Sequence, residues 1–280
     1  MVQVTILSDN MVGLPLGIGE HGFAAYVEGC GDPLLFDTGS GRAIVPNAIT
    51  FGKDLRTVKK ILISHGHFDH TEALPQVLGI ARGAEVWAHP NIFQERIAEK
   101  KLGEMVIRRF VGIPHRRDYL ETLGAQFLLD AGFREVADGV YLTGEVPRRT
   151  AFELGDPDLL IPRGAGFEVD PIQDDQSLVI RTSQGLVVIF GCAHAGMINT
   201  LEYAMEKTGE RRVRAVLGGT HLGFLTKDQL ELSIRALKAM NPQVVAVSHC
   251  TGMKAALRLM QEFGDRFTFA HVGRVFQFES

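Results

Sequence analysis

The sequence predicts an α/β fold with buried sheets, and three observations carry that expectation. Short apolar runs bounded by turn residues recur along the chain, the pattern of buried strands. Amphipathic stretches alternate with some of them, as helices covering a sheet do. Five of the runs end in a histidine or an aspartate, and in α/β sheets ligands bind where the carboxyl ends of strands converge.

Taken in order, residues 2–7 (VQVTIL), 23–27 (FAAYV) and 34–36 (LLF) read as the first strands, followed by 60–63 (KILI) and 85–88 (EVWA). The stretch FDHTEALPQV after the fourth run reads as the start of a helix. From about 90 to 170 the chain changes character: RR at 108–109, HRR at 115–117, frequent prolines and few long apolar runs. That stretch is expected to form a cap or insertion with a short helix (RRDYLETLG) and some hairpin strands. Strands resume at 178–182 (LVIRT) and 186–190 (LVVIF). AGMINTLEYAMEKTG and TKDQLELSIRALKAM have helical spacing of Ile, Leu and Met; Gly209 stops the first, and Thr226 with Asp228 starts the second. Strands at 213–217 (VRAVL) and 243–247 (QVVAV) complete the pattern.

Composition narrows the function. The 280 residues are 45% apolar and 22% charged, ordinary for a soluble globular protein. A net charge of −4 gives no electrostatic case for nucleic-acid or membrane binding. No apolar stretch approaches the ~20 residues of a membrane-spanning helix, and MVQVTILSDN does not read as a signal peptide. Three cysteines are too few for a disulfide framework, so a cytoplasmic location is expected.

The segment ISHGHFDH puts His65, His67, Asp69 and His70 within six residues of a chain that has ten histidines. Imidazole and carboxylate together suit zinc, iron or manganese. His65 and His67 are two apart and share a side in an extended chain, so they fit one ion. Asp69 and His70, at a helix start, can turn to a second ion. The other histidines at strand ends are His194 in GCAH, His221 in GGTH and His249 in SHC; Asp37 ends the LLF run. His21, His89, His115 and His271 are expected in surface or core roles. Arg148 and Arg149 could hold a phosphate, since guanidinium forks match its oxygens. The pairs at 108–117 are either surface charge or contacts to an anionic substrate.

His65–His70 matches H-x-H-x-D-H, and LFDTG the preceding motif, so the chain resembles the metallo-β-lactamase superfamily from Val2 to Phe278. The resemblance implies an αββα sandwich, one domain over 1–280 with the cap at about 90–170. It also implies a pair of divalent transition-metal ions, zinc first, with manganese or iron as alternatives. Asp69, His65, His67, His70, His194 and His249 would hold them. Asp37 would fix a histidine tautomer or the metal loop, and His221 would contact substrate; with Asp69 these are the expected catalytic residues. GCAHAGMINT, GGTHL, SHCTG and TGEVPRRTAFE resemble dihydropterin-ribofuranosylaminobenzene-phosphate synthases. The chain departs from the common pattern in PIQDDQSLVI, which has no histidine where hydrolases of the superfamily carry one. His194 is expected to replace it, with Asp175 or Cys192 as the bridging ligand. The implied activity is a hydrolase acting on a small phosphorylated or ester substrate through a metal-activated hydroxide. The alternative is a pterin-related transferase whose metals bind a diphosphate leaving group. Both take a small-molecule substrate and involve neither nucleic acid nor membrane.

Overall fold

The computed structural model describes residues 1–279. Its strands are β1 Val2–Ser8, β2 Ala24–Glu28, β3 Leu34–Phe36, β4 Lys60–Leu62, β5 Glu85–Ala88, β6 Ile97–Leu102, β7 Met105–Phe110, β8 Gln126–Leu129 and β9 Arg134–Ala137. They continue as β10 Val140–Leu142, β11 Leu159–Arg163, β12 Gly166–Val169, β13 Leu178–Thr182, β14 Gly185–Phe190, β15 Val213–Gly219, β16 Val244–Ser248, β17 Phe267–Phe269 and β18 Val275–Phe278. The helices are α1 Ile44–Thr50, α2 Phe68–Thr71, α3 Leu74–Ile80, α4 Arg117–Thr122, α5 Met197–Thr208, α6 Lys227–Met240 and α7 Gly252–Phe263. Two seven-stranded sheets run in the orders β18-β1-β2-β3-β4-β5-β8 and β17-β16-β15-β14-β13-β10-β9.

Period-2 alternation explains why both faces of each sheet are apolar. In β14, Val187 and Ile189 meet Val4, Ile6, Phe36 and Leu62 of the other sheet, while Leu186, Val188 and Phe190 face α5, α6 and α7. In β2, Ala25 and Val27 face the opposing sheet, and Ala24 and Tyr26 pack with residues of α1 and α3. The layers are therefore helix, sheet, sheet, helix. The helix signals act as expected: Gly209 is a left-handed C-cap with φ 71°, and the Thr226 side chain accepts from Gln229 N–H.

The 90–170 stretch divides between two places. Its two hairpins form a separate sheet in the order β12-β11-β6-β7, while β8, β9 and β10 extend the central sheets. α7 is not among the expected helices, although its apolar residues Ala255, Ala256, Leu259 and Phe263 fall on one helical face, and β17 and β18 carry no clear sequence signal. α7 opens on Gly252 with no side-chain cap, and β17 and β18 span 3 and 4 residues.

Candidate metal centre

β3 and β4 run parallel in one sheet, and β14, β15 and β16 run parallel in the other. Their carboxyl ends deliver Asp37, His65, Cys192, His194, His221 and His249 to one edge. The backbone there is strained. Asp37, Ala193, His221 and His249 have φ between 50° and 60°. A non-glycine residue held in that region costs on the order of 1–3 kcal/mol, tolerated where the surroundings fix it.

One cluster joins His65, His67 and His194, all buried. His65 Nε2 lies 2.9 Å from His67 Nδ1, and the His194 ring centroid is 4.8 Å from that of His65 and 5.0 Å from that of His67. Burial, reinforced by neighbouring histidines and, at His67, by Arg96, pushes all three imidazoles well below their ordinary pKa. Neutral rings keep a lone pair. His67 Nε2 and both nitrogens of His194 are buried with no hydrogen-bond partner. Leaving such atoms bare costs about 1–3 kcal/mol each, so the donor set fits a transition-metal cation.

The second cluster centres on Asp69. Its Oδ2 is 3.3 Å from His249 Nε2, 3.1 Å from His21 Nε2 and 3.9 Å from His70 Nε2. His70 Nε2 also lies 3.3 Å from Cys192 Sγ. Burial alone would lower His70, but the Asp37 and Asp69 carboxylates outweigh it and push it up to about 9. A cation at Nε2 would take the place of that proton. Asp37 accepts from Ser64 N–H and Ser64 Oγ, each at 2.7 Å, and its Oδ2 pairs with His70 Nδ1 at 2.7 Å. It thereby ties the H-x-H loop to the ring that must present Nε2.

Asn10 sorts two further rings. Its Oδ1 accepts from Gly22 N–H at 3.2 Å and lies 2.9 Å from His249 Nδ1; its Nδ2 lies 3.2 Å from His21 Nδ1. Turning the amide would set two donors against each other at Gly22, so the backbone fixes its orientation. His249 therefore donates from Nδ1 and keeps a lone pair on Nε2, as a ligand must. His21 accepts at Nδ1 and donates from Nε2 to Asp69. His21, expected on the surface or in the core, is thus part of the site, and neither it nor Asn10 lies in a motif that sequence spacing reveals.

The remaining expected residues divide. Cys192 lines the cluster. Asp175 joins none of the ligand groups: its Oδ2 accepts from Ala195 N–H at 2.8 Å in the His194 loop, and its Oδ1 is buried with no partner. Arg148 donates to the carbonyls of His194 and Pro171, and Arg149 pairs with Glu206, so neither guanidinium reaches the cavity. His221 does reach it, with Nε2 2.9 Å from Asp156 Oδ2. Beneath the H-x-H loop, buried Arg96 joins Asp170 at 2.8 Å and Asp174 at 2.5 Å, and Asp174 accepts from Gly66 N–H.

The clusters open on a cavity of about 310 Å³ walled by Phe68, Leu159 and Phe224. The small sheet roofs it and supplies Lys100 and Arg109 at the rim. Arg109 lies 4.7 Å over the Phe68 ring. Among the described residues no helix is long and apolar enough to cross a membrane.

The metallo-beta-lactamase superfamily profile matches residues 17–207. A 7,8-dihydropterin-6-methyl-4-(β-D-ribofuranosyl)-aminobenzene-5'-phosphate synthase of Methanocaldococcus jannaschii is 29% identical over 92% of this chain and 90% of its own. An uncharacterized protein of the same organism is 28% identical over 98% and 99% of the two chains. Among solved structures, a metal-dependent hydrolase of the β-lactamase superfamily superposes with a TM-score of 0.83 at 28% identity, covering 100% of both chains.

Proposed function

The chain belongs to the metallo-β-lactamase superfamily, and on that premise we propose that it is a two-metal enzyme displacing a group from a small anionic substrate, with hydrolysis of a phosphorylated or other ester as the leading reaction. The observation that carries this reading is the set of buried ring nitrogens at one sheet edge that have lone pairs and no partner in the protein. Zinc is the first candidate, with His65, His67 and His194 at one ion and Asp69, His70 and His249 at the other. When bound, such a pair supplies Lewis acidity and a water of lowered pKa.

The chain's own residues do the rest. Asp37 and Asn10 hold His70 and His249 in the tautomers that expose Nε2. The apolar wall of Phe68 and Phe224 limits water around the reacting group. Lys100 and Arg109 have no carboxylate partner among the described residues and could meet a negative charge, although Glu99, Asp156 and Asp158 share the same lining.

A second reading, transfer, is favoured by the similarity to the pterin-related synthase. There an arylamine nitrogen would form the new bond to a methylene carbon, the carbon–oxygen bond to a diphosphate would break, and the amine proton would leave.

The test is elemental analysis after reconstitution, followed by two assays. About two ions per chain and phosphate release from a phosphoester panel support hydrolysis. Diphosphate release that requires an arylamine supports transfer. A reconstituted protein that holds no transition metal overturns both.

A further inference from the structure

We propose that Cys192, Cys250 and His221 form a third cation site, a thiolate-rich one, which shares the Cys192 sulfur with the second cluster, since Cys192 Sγ lies 3.3 Å from His70 Nε2. Topology makes the site. β14, β15 and β16 are parallel neighbours, with Phe190 beside Gly218 and Gly219 beside Ser248. Each strand therefore ends two residues before a soft or borderline ligand, and the three fall in a row. Their ligand atoms lie within 4.8 Å of one another. Tetrahedral zinc with bonds of 2.0–2.3 Å needs ligands roughly 3.5 Å apart, so a small inward movement suffices.

The imidazole is prepared for the role. His221 Nε2 donates to Asp156 Oδ2 at 2.9 Å, which leaves Nδ1 as the nitrogen that can face a cation. Nδ1 is buried without a partner, and the residue is 7% exposed. A carboxylate on the far nitrogen is the usual support of a metal-binding histidine, since it fixes both tautomer and ring orientation. Phe224 stacks on the ring, centroids 4.8 Å apart, and limits its rotation.

The thiols are placed with equal specificity. A Cβ on Gly219 would lie 2.3 Å from the Gly191 carbonyl oxygen and 2.6 Å from Cys250 Sγ, so glycine there lets β14 and the sulfur both pack close. Cys250 Sγ accepts from His221 N–H at 3.3 Å. All three side chains line the cavity, so a bound cation would keep an open position toward substrate. Two sulfurs and an imidazole select a thiophilic cation such as zinc or cadmium over magnesium or calcium.

Cadmium titration of the whole chain, read by elemental analysis and by thiolate-to-cadmium absorption, tests the site. The wild type is expected to bind about three equivalents, the third bringing most of that absorption. Cys250→Ser and His221→Gln should each lose that equivalent and keep about two, while Cys30→Ser keeps all of them. Asp156→Asn, which leaves the cavity ligands in place, should weaken the third equivalent alone by about 10–100-fold. Saturation of the wild type at two equivalents without thiolate absorption overturns the proposal. So does retention of the full absorption in Cys250→Ser, or its loss in Cys30→Ser. Failure of the two-metal reading would look different, leaving one thiolate-bound equivalent and none on the histidine clusters.

Discussion

Asp37→Asn changes one oxygen to an NH2 group and should selectively weaken the ion held by Asp69, His70 and His249. Asp37 is fully buried and accepts at both oxygens. Oδ1 faces Ser64 N–H, which cannot reverse its polarity, so an asparagine must keep its carbonyl there. The NH2 then replaces Oδ2, 2.7 Å from His70 Nδ1. A neutral His70 must accept at Nδ1 and move its proton to Nε2. That atom is 3.3 Å from Cys192 Sγ and 3.9 Å from Asp69 Oδ2, where the ion belongs. Losing a hydrogen bond to a charged group costs about 1.5–3 kcal/mol. At 1.4 kcal/mol per decade, that is about 10–100-fold in affinity. Competition against a chromophoric zinc chelator measures the two affinities, and nitrogen NMR of His70 reports the tautomer. The first ion, on His65, His67 and His194, should be nearly unaffected. Unchanged affinity for both ions, with His70 still donating from Nδ1, would refute the role given to Asp37.

Other substitutions separate the parts of the site. His194→Ala should cost zinc affinity at the first cluster, since the ring sits within 5.0 Å of His65 and His67 with both nitrogens free; isothermal titration with full occupancy at sub-micromolar zinc would contradict it. Asn10→Leu removes the amide that holds His249, and a fall in second-ion affinity of about 10-fold is expected by the same assay. Arg96→Ala strands two buried carboxylates and should lower folding stability by about 3–5 kcal/mol, read from urea midpoints. Burial raises Asp175 from 3.8 to about 7, so between those values the folded state holds a proton that the unfolded chain has lost. Stability of the metal-free protein should therefore fall as pH rises through that window and level off above it, whereas Asp175→Asn should lack this component in denaturation curves.

How much of this was readable from residues alone depends on how local each feature is. H-G-H-F-D-H is local: strand, turn and helix start lie within one stretch, and alternation suffices to place His65 and His67 together. The strand ends were also legible, because an apolar run followed by Gly-Cys-Ala-His or Gly-Gly-Thr-His marks its own terminus. Strand order was not. Nothing in VRAVL or QVVAV says that β15 lies between β14 and β16, yet that order brings Cys192, His221 and Cys250 together. Asn10 is 239 residues from His249 and joins it only because β1 and β16 end at the same edge of facing sheets. Arg148 shows the converse. A paired arginine in a loop has the chemistry of a phosphate clamp, but its guanidinium meets the carbonyls of His194 and Pro171. Residue type sets what a side chain can bind, and the fold decides whether water, substrate or backbone reaches it first. The same division explains the strained residues. No propensity predicts φ of 50° to 60° at Asp37, Ala193, His221 and His249. Each lies one to three residues past the carboxyl end of a strand, and His221 and His249 themselves line the cavity. The strain is thus concentrated where strand geometry and ligand geometry disagree.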